Sequence, residues 1–308
     1  MRRPGVVGLV VAAALVFPLV GREGYFTHVA ITMLIFSILA SSLNLLMGYG
    51  GLVSIAHAAF FGIGGYTSGI LAVRAGVPFW LALPAAAVVA GAVALAVGLP
   101  SFRTRGVYYI IVTVAFQLIA SEIFDNWDRM TGGGLGLKGI PRPGPLFGTK
   151  VGYYYLTLAV GALAHVVIAR LVRSPIGLAL SAIRDNETKA RMLGVNPLHY
   201  KVLVFVAASA LAGLAGSLYV HYLGFAHPEF FTFAVSVDLF LAVMLGGSGT
   251  LAGPIFGVVA LEVIREALHE LVALRLLIFG LLLIVLILFM PEGLLPPLRQ
   301  RLARLRRA

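Results

Sequence analysis

From Pro78 to Gly98 the chain carries no charged side chain. A run of that length is close to the ~20 residues that a helix needs to cross a hydrocarbon core of ~30 Å. Similar runs recur along most of the chain. Inside lipid no water satisfies the backbone, so a crossing segment must be a helix or a strand of a closed barrel. Barrel strands alternate apolar and polar residues over about ten positions. These runs are apolar all round, which selects helices. Composition agrees: 60% of residues are hydrophobic, 11% are charged and the mean hydropathy is +1.00. A soluble domain carries about 25% charged residues. The expected fold class is all-α, a polytopic transmembrane helix bundle forming a single domain over residues 1–308.

Ten hydrophobic segments are expected, at 5–21, 26–47, 51–73, 78–98, 106–124, 152–172, 201–222, 235–246, 252–268 and 276–291. Counting 235–246 and 252–268 as one span, or as a re-entrant pair, changes the number of crossings. One span in their place would put the two termini on opposite sides. Charge favours ten: 15 of the 23 basic residues then fall on the side that holds both termini. Cytoplasmic loops carry the excess of Lys and Arg, so both termini are expected inside. That leaves 125–150 as an outer, periplasmic loop rich in Gly and Pro. Residues 173–200 become an inner loop, and 292–308 a basic cytoplasmic tail. Arg2 and Arg3 ahead of an apolar stretch imitate a signal peptide. No small-residue cleavage site follows at Gly21-Arg22-Glu23-Gly24, so a retained first helix is expected.

Other classes are excluded by what the chain lacks. Its net charge of +11 sits in loops beside apolar spans and not on a basic face with aromatics, so the expected surface partner is the lipid bilayer and not nucleic acid. There is no cysteine, hence no thiolate nucleophile or thiolate metal site. No phosphate-binding Gly-Lys-Ser/Thr loop, His-Glu-x-x-His or nucleophile elbow occurs. No catalytic residue, metal or cofactor is expected, and any ATP hydrolysis belongs to another chain.

The inner loop has more structure than a tether requires. Ser174 is a good N-cap with Pro175 at the first helical position. Asp185 or Asn186 can cap a second short helix, which Gly194 can end in a left-handed conformation before Pro197. Such a loop suits docking to a soluble partner; an amphipathic helix lying on headgroups is the other reading.

At these residues the chain resembles a known family. Ala182-Ile183-Arg184-Asp185-Asn186-Glu187, followed by Leu193-Gly194, is similar to the coupling loop of the M-type subunit of branched-chain amino acid ABC permeases. The general importer signature, Glu-Ala-Ala then three residues then Gly, is met only at Glu187, Ala190 and Gly194, with altered spacing. Further stretches resemble the same family: Ser42 to Gly62, Leu245 to Pro254, and Pro291-Glu292-Gly293-Leu294. The resemblance implies ATPase subunits docked on a loop marked by Arg184, Asp185, Asn186, Glu187, Ala190, Leu193 and Gly194. It also implies a second, H-type permease as heterodimer partner, a periplasmic substrate-binding protein, and a place in the bacterial inner membrane. Leucine, isoleucine or valine is the implied cargo. Urea or short-amide permeases share these strings, and a channel or ion-coupled carrier working alone is the reading from another class.

Two glycine-rich interruptions mark a candidate pathway: Gly48, Gly50 and Gly51, and then Gly246, Gly247 and Gly249. Paired helix breaks in the two halves of a transporter point to a central path, although tight turns at the cytoplasmic surface would look the same. Asn44, Ser54, His57, Gly50, Gly51 and Gly247 are the candidate pathway residues. Ser54 and His57, three apart, are expected to share one helix face. His165 is expected to serve helix packing, and Asp238 is given no role.

Overall fold

A computed structural model describes residues 24–104, 106–267 and the single residue Leu281. The segment at 5–21, that at 276–291 apart from Leu281, and the tail at 292–308 lie outside the described residues.

The described chain is a helix bundle. Helix α1 (Tyr25–Asn44) runs into a π-helical turn (Leu45–Tyr49), and α2 (His57–Arg74), α3 (Phe79–Ser101) and α4 (Val107–Asn126) follow. After the 125–150 loop come α5 (Lys150–Arg173), the short α6 (Pro175–Asp185) and α7 (Glu187–Met192), and the long α8 (Pro197–Leu223). A hairpin of α9 (Phe233–Gly246) and α10 (Gly253–Ala267) completes it. Among the described residues five helices are long and apolar enough to cross a membrane: Tyr25–Tyr49, α3, α4, α5 and α8.

One expectation is corrected. The segment expected at 51–73 is not helical from its start, because residues 51–56 are irregular and the helix begins at His57. Ser54 therefore precedes the helix and shares no face with His57. The cause is local: the π-helical turn ends α1, and Gly51 then takes φ +66°, a left-handed conformation that reverses the chain. The segments at 235–246 and 252–268 are two separate antiparallel helices of 14 and 15 residues. At 1.5 Å per residue each is only ~21–23 Å long. They touch backbone to backbone, since a Cβ on Gly246 would lie 1.8 Å from the Gly253 carbonyl.

Helix α8 is the centre of the bundle, packed on α2 and α3. Small residues make this possible. A Cβ on Gly64 would fall 2.2 Å from the Gly213 backbone, and one on Gly216 would fall 1.9 Å from the Phe61 carbonyl. Without a hydrophobic effect between helices in lipid, such close contact supplies the packing. A buried chain of hydrogen bonds adds to it: Ser217 Oγ donates to Ser68 Oγ (2.7 Å), and Ser68 meets His221 Nε2 at 2.8 Å. His221 Nδ1 lies 2.7 Å from the Pro141 carbonyl, which ties the 125–150 loop to the bundle. That loop is ordered, with strand β1 (Leu137–Lys138) pairing antiparallel to β2 (Phe225–Ala226). His165 is a packing residue, hydrogen-bonded to Ser41 of α1 (3.1 Å) and to the Gly161 carbonyl (2.7 Å).

Candidate functional site

The caps of the inner loop form as their residue types require. Ser174 Oγ accepts from the Ile176 N–H at 3.2 Å, with Pro175 opening α6. Of the two candidates for the second cap it is Asn186 that acts, its Oδ1 accepting from the Lys189 N–H at 2.9 Å. Gly194 follows α7 with φ +84°, and Asn196 then caps α8. The result is two rigid short helices at one end of the bundle. Their inner face buries Leu180, Ile183 and Ala190. Their outer face leaves Leu178, Met192 and Leu193 76%, 81% and 83% exposed.

Glu187 and Arg184 turn toward the bundle, while Asp185, Lys189 and Arg191 stay exposed. Glu187 accepts from Arg191 (2.6 Å) and from Lys201 on α8 (2.7 Å), bolting α7 to the bundle. Partial burial pushes the Glu187 carboxyl up, but Lys201 and Arg191 outweigh it and hold it below the ordinary carboxylate range. Arg184, on the last turn of α6, leaves the loop altogether: its Nη1 donates to the Gly48 carbonyl at 2.5 Å. Asp185 stays exposed and pairs with it at 3.4 Å.

Arg184 arrives where the two glycine-rich breaks meet. Asn44, at the end of α1, reaches across to the α9–α10 turn: its Nδ2 donates to the Thr250 carbonyl (2.9 Å) and its Oδ1 accepts from the Gly249 N–H (2.8 Å). A Cβ on Gly48 would sit 2.2 Å from Gly249 N, so only glycine permits the approach. Gly247 shapes the turn, its carbonyl accepting from Thr250 Oγ1 at 3.0 Å. Gly50 lies in the π-helical exit, its N–H bonded to the Leu45 carbonyl at 3.2 Å. The structure thus brings Asn44, Gly51 and the turn holding Gly247 into one junction with Arg184.

Deeper in the bundle lies a second polar group. The N-terminus of α2 is buried, and its free N–H groups need partners there. The Ala58 N–H donates to Ser236 Oγ (3.0 Å) and the Ala59 N–H to Gln117 Oε1 (2.8 Å). Ser236 also donates to Gln117 Oε1 (3.0 Å), and Gln117 Nε2 donates to the Phe231 carbonyl (2.8 Å). His57 Nε2 lies 2.7 Å from Ser42 Oγ, whose own hydrogen goes to the Leu39 carbonyl. That leaves Ser42 as acceptor and places a proton on Nε2 of His57. Ahead of the helix, Ile55 N–H donates to Thr113 Oγ1 (3.3 Å) and Ala56 N–H to Ser54 Oγ (3.4 Å). The sequence alone assigns no task to Gln117, Ser236 or Thr113. Their only signal was a polar residue in an apolar run. Asp238 pairs with Arg265 at 2.6 Å and so joins α9 to α10.

Residues 25–290 match the family model described as "Branched-chain amino acid transport system / permease component". The chain is 34% identical over 320 residues to the high-affinity branched-chain amino acid transport system permease protein LivM of Salmonella typhimurium, covering 96% of this chain and 75% of that protein. Against LivM of Escherichia coli it is 33% identical, covering 94% and 74%. LivH of Escherichia coli, a permease protein of the same description, is 26% identical, covering 84% and 91%. No solved structure matches.

Proposed function

The chain belongs to the branched-chain amino acid permease family, and from that premise we propose that it is the membrane-spanning subunit of an ABC importer for leucine, isoleucine or valine. It translocates and does not catalyse; ATP is hydrolysed on partner subunits. A related H-type permease completes the pathway as a heterodimer, and a periplasmic binding protein delivers the solute. The protein sits in the bacterial cytoplasmic membrane with ten crossings and both termini inside. Residues 125–150 then face the periplasm, and 173–200 and the tail at 292–308 the cytoplasm.

The observation that carries this reading is the pair of capped helices α6 and α7, which leave Leu178, Met192 and Leu193 bare beside a bolted set of charges. Glu187 is held by Arg191 and Lys201 and Arg184 reaches Gly48, so the bare apolar side chains share the outer surface with Asp185, Lys189 and Arg191, which suits a mixed docking face for an ATPase. The solute path is bordered by Asn44, Gly50, Gly51, Ser54, His57 and Gly247. The irregular stretch 51–56 supplies the hinge, because its backbone is held by side chains and not by a helix ladder.

Uptake measurements test this. Proteoliposomes holding the chain, its sister permease and the two ATPases, with binding protein outside and ATP inside, are expected to accumulate labelled leucine. Uptake without ATPase subunits would sink the importer reading in favour of a channel or ion-coupled carrier. Uptake of urea alone would replace the cargo.

A further inference from the structure

The coupling loop and the glycine junction are joined by one side chain. Arg184 stands on the last turn of α6, a helix whose start is fixed by Ser174 and Pro175. Its stem lies on Gly51, where an added Cβ would meet Arg184 Cγ at 2.7 Å. Its Nη1 donates to the Gly48 carbonyl (2.5 Å) and lies against Gly249, where an added Cβ would be 3.4 Å away. Gly48 is in the π-helical end of α1, and Gly249 lies just past the end of α9.

Two helix C-termini therefore converge on this point. Each carries unpaired carbonyls and a partial negative charge. A cation between them stabilises both ends, with Nη1 bonded to the Gly48 carbonyl and lying beside Gly249. The π-helical turn matters as well, since such turns are rare and mark places where a helix changes its bonding.

We propose that Arg184 is the positioning residue that transmits movement of α6 and α7 to both glycine breaks. The residue does not touch the solute. It ties the ends of α1 and α9 to the loop, so that the three shift as one. This rests on the reading that the loop docks an ATPase.

The test uses the whole transporter in proteoliposomes, with leucine uptake, ATP hydrolysis and ATPase subunits per permease measured on the same preparation. Arg184→Met keeps the stem on Gly51 and removes the donors. Leucine moved per ATP is expected to fall roughly tenfold, within the usual range for a coupling contact, with the ATPase subunits still bound. Arg184→Lys restores the cation and is expected to fall between Met and wild type. A Met variant with the wild-type ratio overturns the proposal. So does one that sheds its ATPases, because Arg184 would then be a docking contact. A Lys variant no better than Met also overturns it. Should the variants fail to assemble, hydrogen exchange on the wild-type complex decides, comparing ADP with ATP–vanadate. Exchange at 48–51 and 247–250 is expected to change together with 184–193, and change in the loop alone overturns the link. A wild type that lacks ATP-driven uptake refutes the importer reading instead.

Discussion

The cap around His57 and the loop at 173–200 are both polar, yet they dispose of their polarity in opposite ways. In the cap, Ser42, His57, Gln117 and Ser236 are fully buried, and they complete the hydrogen bonding of a helix that starts inside the bundle. In the loop, Glu187 and Arg184 bond to the protein's own elements, while Asp185, Lys189 and Arg191 stay exposed beside Leu178, Met192 and Leu193. The two regions use their polar groups for different ends. The cap holds irregular backbone in place where lipid offers no partner. The loop forms a platform that leaves three large apolar side chains exposed.

The comparison predicts that damage to the cap is intrinsic and damage to the platform is extrinsic. Gln117→Leu is expected to have the largest effect. It strands the Ala59 N–H and the Ser236 hydroxyl, at roughly 1–3 kcal/mol per buried unsatisfied group. The purified protein should melt at lower temperature in detergent, with the amides at 58–59 deprotected. An unchanged melting temperature would show that the cap is dispensable. Leu193→Asp comes next. It should leave melting unchanged but weaken ATPase retention about tenfold, the loss usual for an interface anchor; equal retention on pull-down would contradict the platform.

Glu187→Gln is expected to have the smallest effect, under about 1 kcal/mol, because its two ion pairs are partly exposed. It also carries a pH signature. The folded carboxyl titrates below its ordinary value, so its contribution is present above about pH 4.3 and lost as pH falls through the lowered value. Exchange at 187–201 should quicken on acidification below that point in the wild type, and the Gln variant should lack this component. The same acid response in both proteins would assign it elsewhere.

Legibility followed distance along the chain. The caps of α6 and α7 were readable because each is made by a side chain and an N–H two or three residues apart. Membrane residence was readable because it depends on summed hydropathy. The glycine breaks were visible as motifs, but the helix expected through Ser54 was not there, since Gly51 and the π-helical turn redirect the chain first. Arg184 looked like a charge for docking because nothing adjacent to it hints at Gly48.

Local chemistry in the sequence determined that this protein lives in lipid as helices and that residues 173–200 hold a pair of capped helices. Both depend on hydropathy and on partners within a turn. Only the tertiary structure decided what the polar residues do. Asn44 meets Thr250 across 206 residues, Arg184 meets Gly48 across 136, and Ser236 meets Gln117 across 119. In a medium without water each buried polar group must find its partner inside the fold, and no spacing along the chain names that partner.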